Sequence, residues 1–351
     1  MKIIMATNSF NPGGAETHLL ELSRGLCALG HTVFVVSAGG ELVPALERAG
    51  ARHVEAALNT HNPAKLIQAF FRLKKLIAEE KPEIVHAHAR IPAFLCSLLN
   101  KKRGFRFVTT AHLDFRVTAL NKKLTSWGDF SLAVSEDLKQ YLIREFGIPE
   151  SRILVTVNGI DTERFAPPLS AERCGFLHIS RLDAGPADIA RQLIEIAPSC
   201  PEIPITIVGG GGEYEALCQA AKSAPNVRLT GALSDVREEL TRARAFVGVS
   251  RAALEAMSAG LPVILAGYQG YLGELDAADE EAVGRAVQTN FTCRGYPAAS
   301  AEELRNAIRE LYARSDEELA REGAANRTLI IERYDVKRMV SDALEAYSRV
   351  L

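Results

Sequence analysis

Short apolar runs alternate along this chain with longer stretches whose apolar positions recur at helical spacing. Lys2–Thr7 predicts a strand. Gly14–Gly30 predicts a helix, with Leu19, Leu20, Leu22, Leu26 and Leu29 on its apolar side and Gly30 as its stop. Thr32–Ser37 reads as a strand, Leu42–Ala49 as a helix and Ala64–Glu79 as a longer one. Glu83–Ala87, Arg106–Thr110, Phe130–Ala133 and Ile153–Val157 read as buried strands. Pro167-Pro168 marks a linker within Arg164–Ser170. The pattern then restarts, with strands expected at Gly175–Ser180, Pro204–Val208, Val227–Thr230, Ala245–Val249 and Pro262–Ala266, and helices between them. Ala301–Leu351 is a run of charged helices. Such alternation implies βαβ units around parallel sheets. The expected fold class is α/β, two doubly wound domains facing across a cleft at their strand carboxyl ends. Their expected extents are 1–165 and 170–330, with 331–351 a C-terminal helix packing back on the first domain.

A length of 351 residues suits two domains with a core each. The net charge of −2 argues against a dedicated nucleic-acid binder, which would be basic overall. That sum hides an asymmetry. Residues 1–165 hold 21 Lys/Arg against 16 Asp/Glu, and seven of the eight histidines also lie there, so the halves are expected to do different jobs. Cys27, Cys96, Cys174, Cys200, Cys218 and Cys293 are scattered, without a CxxC or a Cys/His cluster at metal-ligand spacing. Reduced thiols fit better than a disulfide framework or a zinc site. The opening MKIIMATNSF reads as a first strand and not a signal peptide. No apolar run approaches the roughly 20 residues of a membrane span. The expectation is a cytoplasmic protein.

Three segments have the make-up of anion sites. Gly13-Gly14 precedes a helix start, where backbone N–H groups and the helix dipole meet anions, although glycines at such a turn need no ligand. Gly209–Gly212 lies between an apolar strand and the helical Glu213–Ala221. Read as GxGxxG, its third glycine position falls on Tyr214, and Arg228 sits where an acid would hold a ribose, which disfavours a nicotinamide cofactor. No GxxxxGK[ST] is present, so P-loop hydrolysis is excluded. Ser250 follows a strand as a candidate N-cap for a helix Arg251–Ala259 stopped by Gly260. The amides of Arg251, Ala252 and Ala253 would leave room for a diphosphate. Glu255, a turn and a half along, could reach an attached ribose. Taken singly, that glutamate is better explained by the helix dipole.

Several segments together carry a resemblance. Gly13-Gly14-Ala15-Glu16, Ile84-Val85-His86-Ala87-His88, Thr110-Ala111-His112, Val134-Ser135-Glu136, Asn158-Gly159-Ile160-Asp161, Ser180-Arg181-Leu182, Val208-Gly209-Gly210-Gly211 and Leu254–Ile264 stand in the order seen in glycosyltransferase family 4. The chain resembles that family from residue 1 to about 265. The resemblance implies the GT-B fold, two Rossmann-like domains with the acceptor site on the first and the nucleotide-sugar site on the second. It also implies retention of anomeric configuration, no metal and no cofactor, and no DxD carboxylate pair is seen. Carried over, Arg181 holds the donor diphosphate and Glu255 the ribose, as the second glutamate of the family's E-x7-E motif. Gly13 and Gly14, Gly209 and Gly210, and Ser250–Ala253 complete the donor side. His112 faces the reacting sugar, with Glu16 and His88 on the acceptor side.

Two positions depart from the pattern. Pro186 stands where the family places a lysine five residues after the arginine, and Val247 where the first glutamate belongs. Both changes fall in the donor site, and Arg251 is the candidate to replace the lost charge. The implied function is a glycosyltransferase using a nucleotide-diphosphate sugar, UDP-linked rather than GDP-linked. The acceptor is unnamed, and cell-envelope glycan or glycolipid synthesis is the implied setting. The alternatives are a non-catalytic nucleotide-sugar-binding protein, or an epimerase or hydrolase on the same fold. Lys101, Lys102 and Arg103, with Arg106 and Lys122-Lys123, form a basic cluster. Family members that dock on anionic lipid use such surfaces, at about 1 kcal/mol per basic residue, although a solvated face is the commoner meaning.

Overall fold

The computed structural model describes residues 1–168 and 172–351, with the backbone alone for 101–103. The chain divides into two compact units: Met1–Gly159 together with Val336–Leu351, and Ile160–Asp335.

The first unit runs β1 (Lys2–Ala6), α1 (Gly14–Ala28), β2 (Thr32–Ser37), α2 (Val43–Arg48), β3 (Arg52–Glu55), α3 (Pro63–Glu80), β4 (Ile84–Ala87), α4 (Arg90–Arg103), β5 (Arg106–Ala111), α5 (Ala119–Lys123), β6 (Phe130–Ala133), α6 (Glu136–Phe146) and β7 (Ile153–Val155). Its seven strands pair in parallel in the order β3-β2-β1-β4-β5-β6-β7. Ile4, Phe34 and Val85 on the sheet pack with Leu73 and Ile77 of α3 and Cys96 and Leu99 of α4. Each large side chain so buried contributes about 1.5–3 kcal/mol. Local signals agree with this packing. The Asn62 side chain caps α3 by accepting from the Ala64 and Lys65 N–H groups, and Pro63 occupies the first turn, where its missing N–H costs nothing.

The second unit runs β8 (Phe176–Ile179), α7 (Asp188–Ile196), β9 (Ile205–Val208), α8 (Tyr214–Ala220), β10 (Val227–Gly231), α9 (Arg237–Arg242), β11 (Ala245–Gly248), α10 (Ser250–Ser258), β12 (Val263–Gly267), β13 (Gly270–Glu274), α11 (Glu280–Gln288), α12 (Ala301–Tyr312) and α13 (Asp316–Tyr334). Its strand order is β10-β9-β8-β11-β12-β13, parallel except for the antiparallel edge strand β13. Leu193, Ile205, Ile207, Val247, Ile264 and Leu304 belong to its separate core. Ser300 and Ser315 open α12 and α13 with reciprocal capping boxes to Glu303 and Glu318.

The chain passes between units at Gly159–Ile160, earlier than the proline pair suggests. Pro167 belongs to the second unit, where a Cβ placed on Gly260 would come within 3.2 Å of its ring. Leu169 and Ser170 of the expected linker lie outside the described residues. At the other end, residues 331–334 still belong to α13, and the helix breaks at Asp335. The Thr162 hydroxyl donates to the Asp335 carboxylate at 2.5 Å, and the Ile160 N–H to the Tyr334 carbonyl at 2.8 Å. The chain then returns to the first unit as α14 (Val336–Ser348). There Gly25 and Gly159 are matched to it: a Cβ on Gly25 would overlap Val340, and one on Gly159 would lie 2.9 Å from Met339 Cβ and Val336 Cα. Thr156 donates to Asp342 at 3.0 Å. Among the described residues no helix is long and apolar enough to cross a membrane. All six cysteines are free thiols.

Candidate active site

In open parallel sheets ligands bind outside the strand carboxyl ends where the strand order reverses. That point falls between β1 and β4 in the first unit and between β8 and β11 in the second. The residues singled out from the sequence gather at both points, each within its own unit.

In the second unit β8 ends in Ser180-Arg181. Arg181 is exposed and makes no hydrogen bond or ion pair with the described residues. The glycine turn after β9 wraps this loop: the Leu182 N–H donates to the Gly210 carbonyl at 2.9 Å, and the Gly212 N–H to Asp183 Oδ1 at 3.0 Å. Gly209 has φ +156°, and a Cβ there would overlap the Ser180 carbonyl oxygen. Gly209 therefore shapes the loop that carries Arg181, and close backbone approach alone accounts for it.

The start of α10 differs from the expectation. Ser250 does not cap the helix; Val249 stands at the N-cap and no side-chain cap hydrogen bond forms. Ser250 itself adopts φ +59°, a costly conformation for a non-glycine residue, and its N–H donates to the Phe291 carbonyl at 2.7 Å. Ala252 is half-buried and Ala253 fully buried, so Ala253 offers the site only its backbone. Arg251 is turned along the helix, and its Nε donates to Glu255 Oε1 at 2.9 Å. The two side chains are only 10% and 13% exposed. Arg251 is thus engaged with Glu255 and is no simple replacement for a lysine at Pro186. Val247, at the place of the first motif glutamate, is a fully buried strand residue.

One buried polar group beside the site escaped the sequence reading. His178 lies on β8 with its pKa lowered to about 4 by burial. Its Nδ1–H donates to the Val247 carbonyl at 2.8 Å, because a carbonyl can only accept. Nε2 of the neutral ring then accepts from the Ser180 hydroxyl at 2.8 Å. His178 so ties β11 to the residue before Arg181. A histidine inside the apolar run Phe176–Ile179 was the available signal.

In the first unit Gly13 caps α1 with extended backbone, and Gly14 has open space where a side chain would stand. Glu16 lies in the first turn. Next to them a cavity of about 290 Å³ is lined by Glu16, His88, Arg90, His112, Phe115 and Trp127, among others. His88 follows β4 and His112 follows β5, with His88 Nδ1 3.1 Å from His112 Nε2. Below them His86 bonds Tyr347 of α14 at 2.8 Å and Thr110 at 2.7 Å, and His18 bonds Asn158 at 3.2 Å. Burial first, then repulsion by the neighbouring rings, holds His88 well below the usual histidine range. His112 is lowered to about 4 by burial, and His86 to about 3 by burial and the nearby His112. His86, His88 and His112 are therefore neutral at physiological pH. Three buried atoms on the cavity's residues have no hydrogen-bond partner among the described residues: Asn8 Oδ1, His88 Nε2 and Trp127 Nε1. An acceptor, a donor and a tautomer-dependent nitrogen suit a hydroxyl-bearing ligand.

Ring nitrogens of His18, His88 and His112 lie within 4.8 Å of one another, and this is the one such group among the described residues. Sequence spacing could not reveal it, because the three come from separate segments. Of these rings, His88 Nδ1 lies 3.1 Å from His112 Nε2 and His18 Nδ1 lies 3.2 Å from Asn158 Oδ1. Side chains of Lys101, Lys102 and Arg103 lie outside the described ones.

Two doubly wound units, each with polar residues at its switch point, define the class as a two-domain α/β protein. The match to known proteins gives the particular family. Residues 12–164 match the Glycosyltransferase Family 4 domain and residues 173–314 the Glycosyl transferases group 1 domain. The chain belongs to glycosyltransferase family 4 and has the GT-B type of fold. Its whole length is 26% identical to a phosphatidylinositol N-acetylglucosaminyltransferase component of Arabidopsis thaliana, over 86% of that protein. It is 24% identical to phosphatidyl-myo-inositol mannosyltransferase of Mycolicibacterium smegmatis, over 97% of this chain and 91% of that one. Among solved structures, HepE of Anabaena in complex with UDP-glucose superposes with a TM-score of 0.79 at 18% identity, covering 99% of this chain and all of the other.

Proposed function

We propose that this glycosyltransferase moves a sugar from a UDP-sugar to an acceptor hydroxyl, with retention of anomeric configuration and without a metal. The donor site is the switch point of the second unit, and the acceptor site the cavity of the first. Glycosyl transfer leaves negative charge on the departing diphosphate, and pre-organised positive groups there stabilise the transition state. Arg181 takes that role, helped by the first-turn amides of α10. Glu255, steadied by Arg251, holds the ribose hydroxyls. His88 and His112 hydrogen-bond hydroxyls of the reacting sugar or acceptor, and neutral rings serve this in either direction. Pro186 and Val247 leave the donor site with fewer charged groups than the family pattern, which puts more of the load on Arg181.

The observation that carries the reading is the exposed guanidinium of Arg181, without a protein partner among the described residues, at the carboxyl end of β8. The structures of HepE with UDP and with UDP-glucose support the choice of base. The test is calorimetric titration with uridine, UDP, GDP, ADP and dTDP. UDP should bind best, and Arg181→Ala should weaken UDP by about 1.5–3 kcal/mol while sparing uridine. Equal relative losses for uridine and UDP would sink the phosphate role. Turnover should persist in excess chelator, and the product should keep the donor's anomeric configuration by NMR. Rescue of a chelated enzyme by magnesium or manganese would overturn the metal-free reading.

A further inference from the structure

His18 of α1, His88 after β4 and His112 after β5 converge at the switch point of the first unit from three separate elements. The first two are buried and the third is half-buried. One ring nitrogen of each lies within 4.8 Å of the other two. A tetrahedral zinc site, with Zn–N bonds of about 2.0–2.1 Å, places its ligand nitrogens about 3.4 Å apart. His88 Nδ1 and His112 Nε2 already stand 3.1 Å from each other. The widest separation in the set has to close by about 1.4 Å, and the χ2 torsion of histidine is soft enough to allow it.

The surroundings prepare these rings as ligands. A closed hydrogen-bond network would account for the cluster by itself, but His88 Nε2, on a buried ring, has no partner among the described residues. Between His88 Nδ1 and His112 Nε2 one nitrogen carries a proton, since two facing lone pairs would repel. A metal takes that place when the proton moves to the other nitrogen of its own ring, so both rings bind in the neutral form that metals require. His18 Nδ1 donates to Asn158 Oδ1 at 3.2 Å, and an outer partner of this kind fixes the tautomer and orientation of a ligating histidine. His86 is committed on both nitrogens, to Tyr347 and Thr110, and does not join the set. The fourth coordination position therefore opens on the cavity, which Glu16 also lines. Three histidines with one open position suit zinc.

We propose that His18, His88 and His112 form an inhibitory site for a divalent transition metal, Zn²⁺ being the ion that fits. The metal takes no part in sugar transfer. It occupies the two rings, His88 and His112, that hydroxyls of the sugar or acceptor use. The metal site stands on the geometry of the three rings alone, whereas the inhibition rests on the reading of this cavity as the acceptor site. Magnesium and manganese prefer oxygen ligands and leave the three histidines unoccupied.

The test is titration of the full chain, without an added histidine tag, with Co²⁺ as the visible probe and Zn²⁺ as its competitor. One equivalent of Co²⁺ should give the visible absorption of a four- or five-coordinate nitrogen site, and Zn²⁺ should displace it. The near-ultraviolet band of a cobalt–thiolate bond should be absent, and Cys174→Ser, which removes the exposed thiol, should change nothing. His112→Ala should lower the affinity by more than about 100-fold, because loss of an outer partner alone costs about 10–100-fold. His18→Ala is the second ligand variant, and circular dichroism checks that each variant is folded. Asn158→Ala should lower Co²⁺ affinity by about 10–100-fold and raise the Zn²⁺ needed to stop turnover by the same factor. Excess chelator should restore the rate. Failure to bind one equivalent of Co²⁺, a thiolate band, or unchanged affinity in folded His112→Ala and His18→Ala overturns the site. Zn²⁺ bound at the three histidines with turnover at its full rate overturns the inhibition together with the acceptor reading of the cavity, and leaves the metal site standing. UDP binding without metal tests the donor reading separately.

Discussion

Buried neutral histidines make this protein's stability sensitive to acid. His86, His88, His112 and His178 all have pKa values lowered by burial, to about 3 for His86 and about 4 for His112 and His178. In the unfolded chain each titrates near 6.5, so below that pH the unfolded state binds more protons and gains on the folded one. Stability is therefore full above about pH 7 and falls as pH drops through 6.5 towards 4. At pH 5 one such histidine costs about 2 kcal/mol. Urea unfolding at pH 7 and pH 5 measures this, and equal midpoints would rule out a neutral cluster. The Arg251–Glu255 pair makes a second residue-scale prediction. Glu255→Ala strips Arg251 of a partner within a pair that is mostly buried, so it should cost about 3 kcal/mol of stability as well as nucleotide affinity. Glu255→Gln should keep most of the stability and still lose ribose binding. If Glu255→Ala leaves the thermal midpoint unmoved, the pair carries no structural load. The i,i+4 spacing permits this pairing, although the sequence reading assigned Arg251 to the lost phosphate charge instead. His86–Tyr347 was not legible in the sequence, because 261 residues separate the two.

At the scale of elements, the strands that hold the sites were legible because each is a short, mostly apolar run. β3 and β13 were not. Arg52-His53-Val54-Glu55 offers a single aliphatic side chain, and Gly270–Glu274 is broken by glycines, so neither edge strand shows a buried-strand pattern. Both are fixed by pairing to a neighbour that already exists, a tertiary effect that no local window contains. The anion-site reading of Gly209 also shifts here, since the backbone of Ser180 accounts for that glycine. Gly209→Ala should therefore cost about 1–3 kcal/mol through strain and overlap, and should displace the loop bearing Arg181. Diphosphate affinity should fall with it. A Gly209→Ala protein with wild-type stability and wild-type UDP binding would show that the loop yields without consequence.

Across the whole molecule, two compact units predict two thermal transitions, and single side chains can be assigned to one or the other. Tyr347→Phe removes the hydroxyl that His86 Nδ1 bonds and leaves a buried polar atom unmatched. It should lower the transition of the first unit by about 1–3 kcal/mol and leave the other in place. Calorimetry that shows both transitions moving together would merge the units into one cooperative block. The return of α14 to the first unit has a further consequence during synthesis. Residues 1–159 leave the ribosome first, yet the helix that covers Gly25 and Gly159 and supplies Tyr347 emerges only after Ile160–Asp335. Domains usually fold in the order in which they emerge. Here the nascent first unit must wait with an uncovered face while the second is made and folds. Ribosome-bound chains arrested once Asp335 has cleared the exit tunnel should resist protease in the second unit and be cut in the first, and protection should spread to both only when Val336–Ser348 has followed.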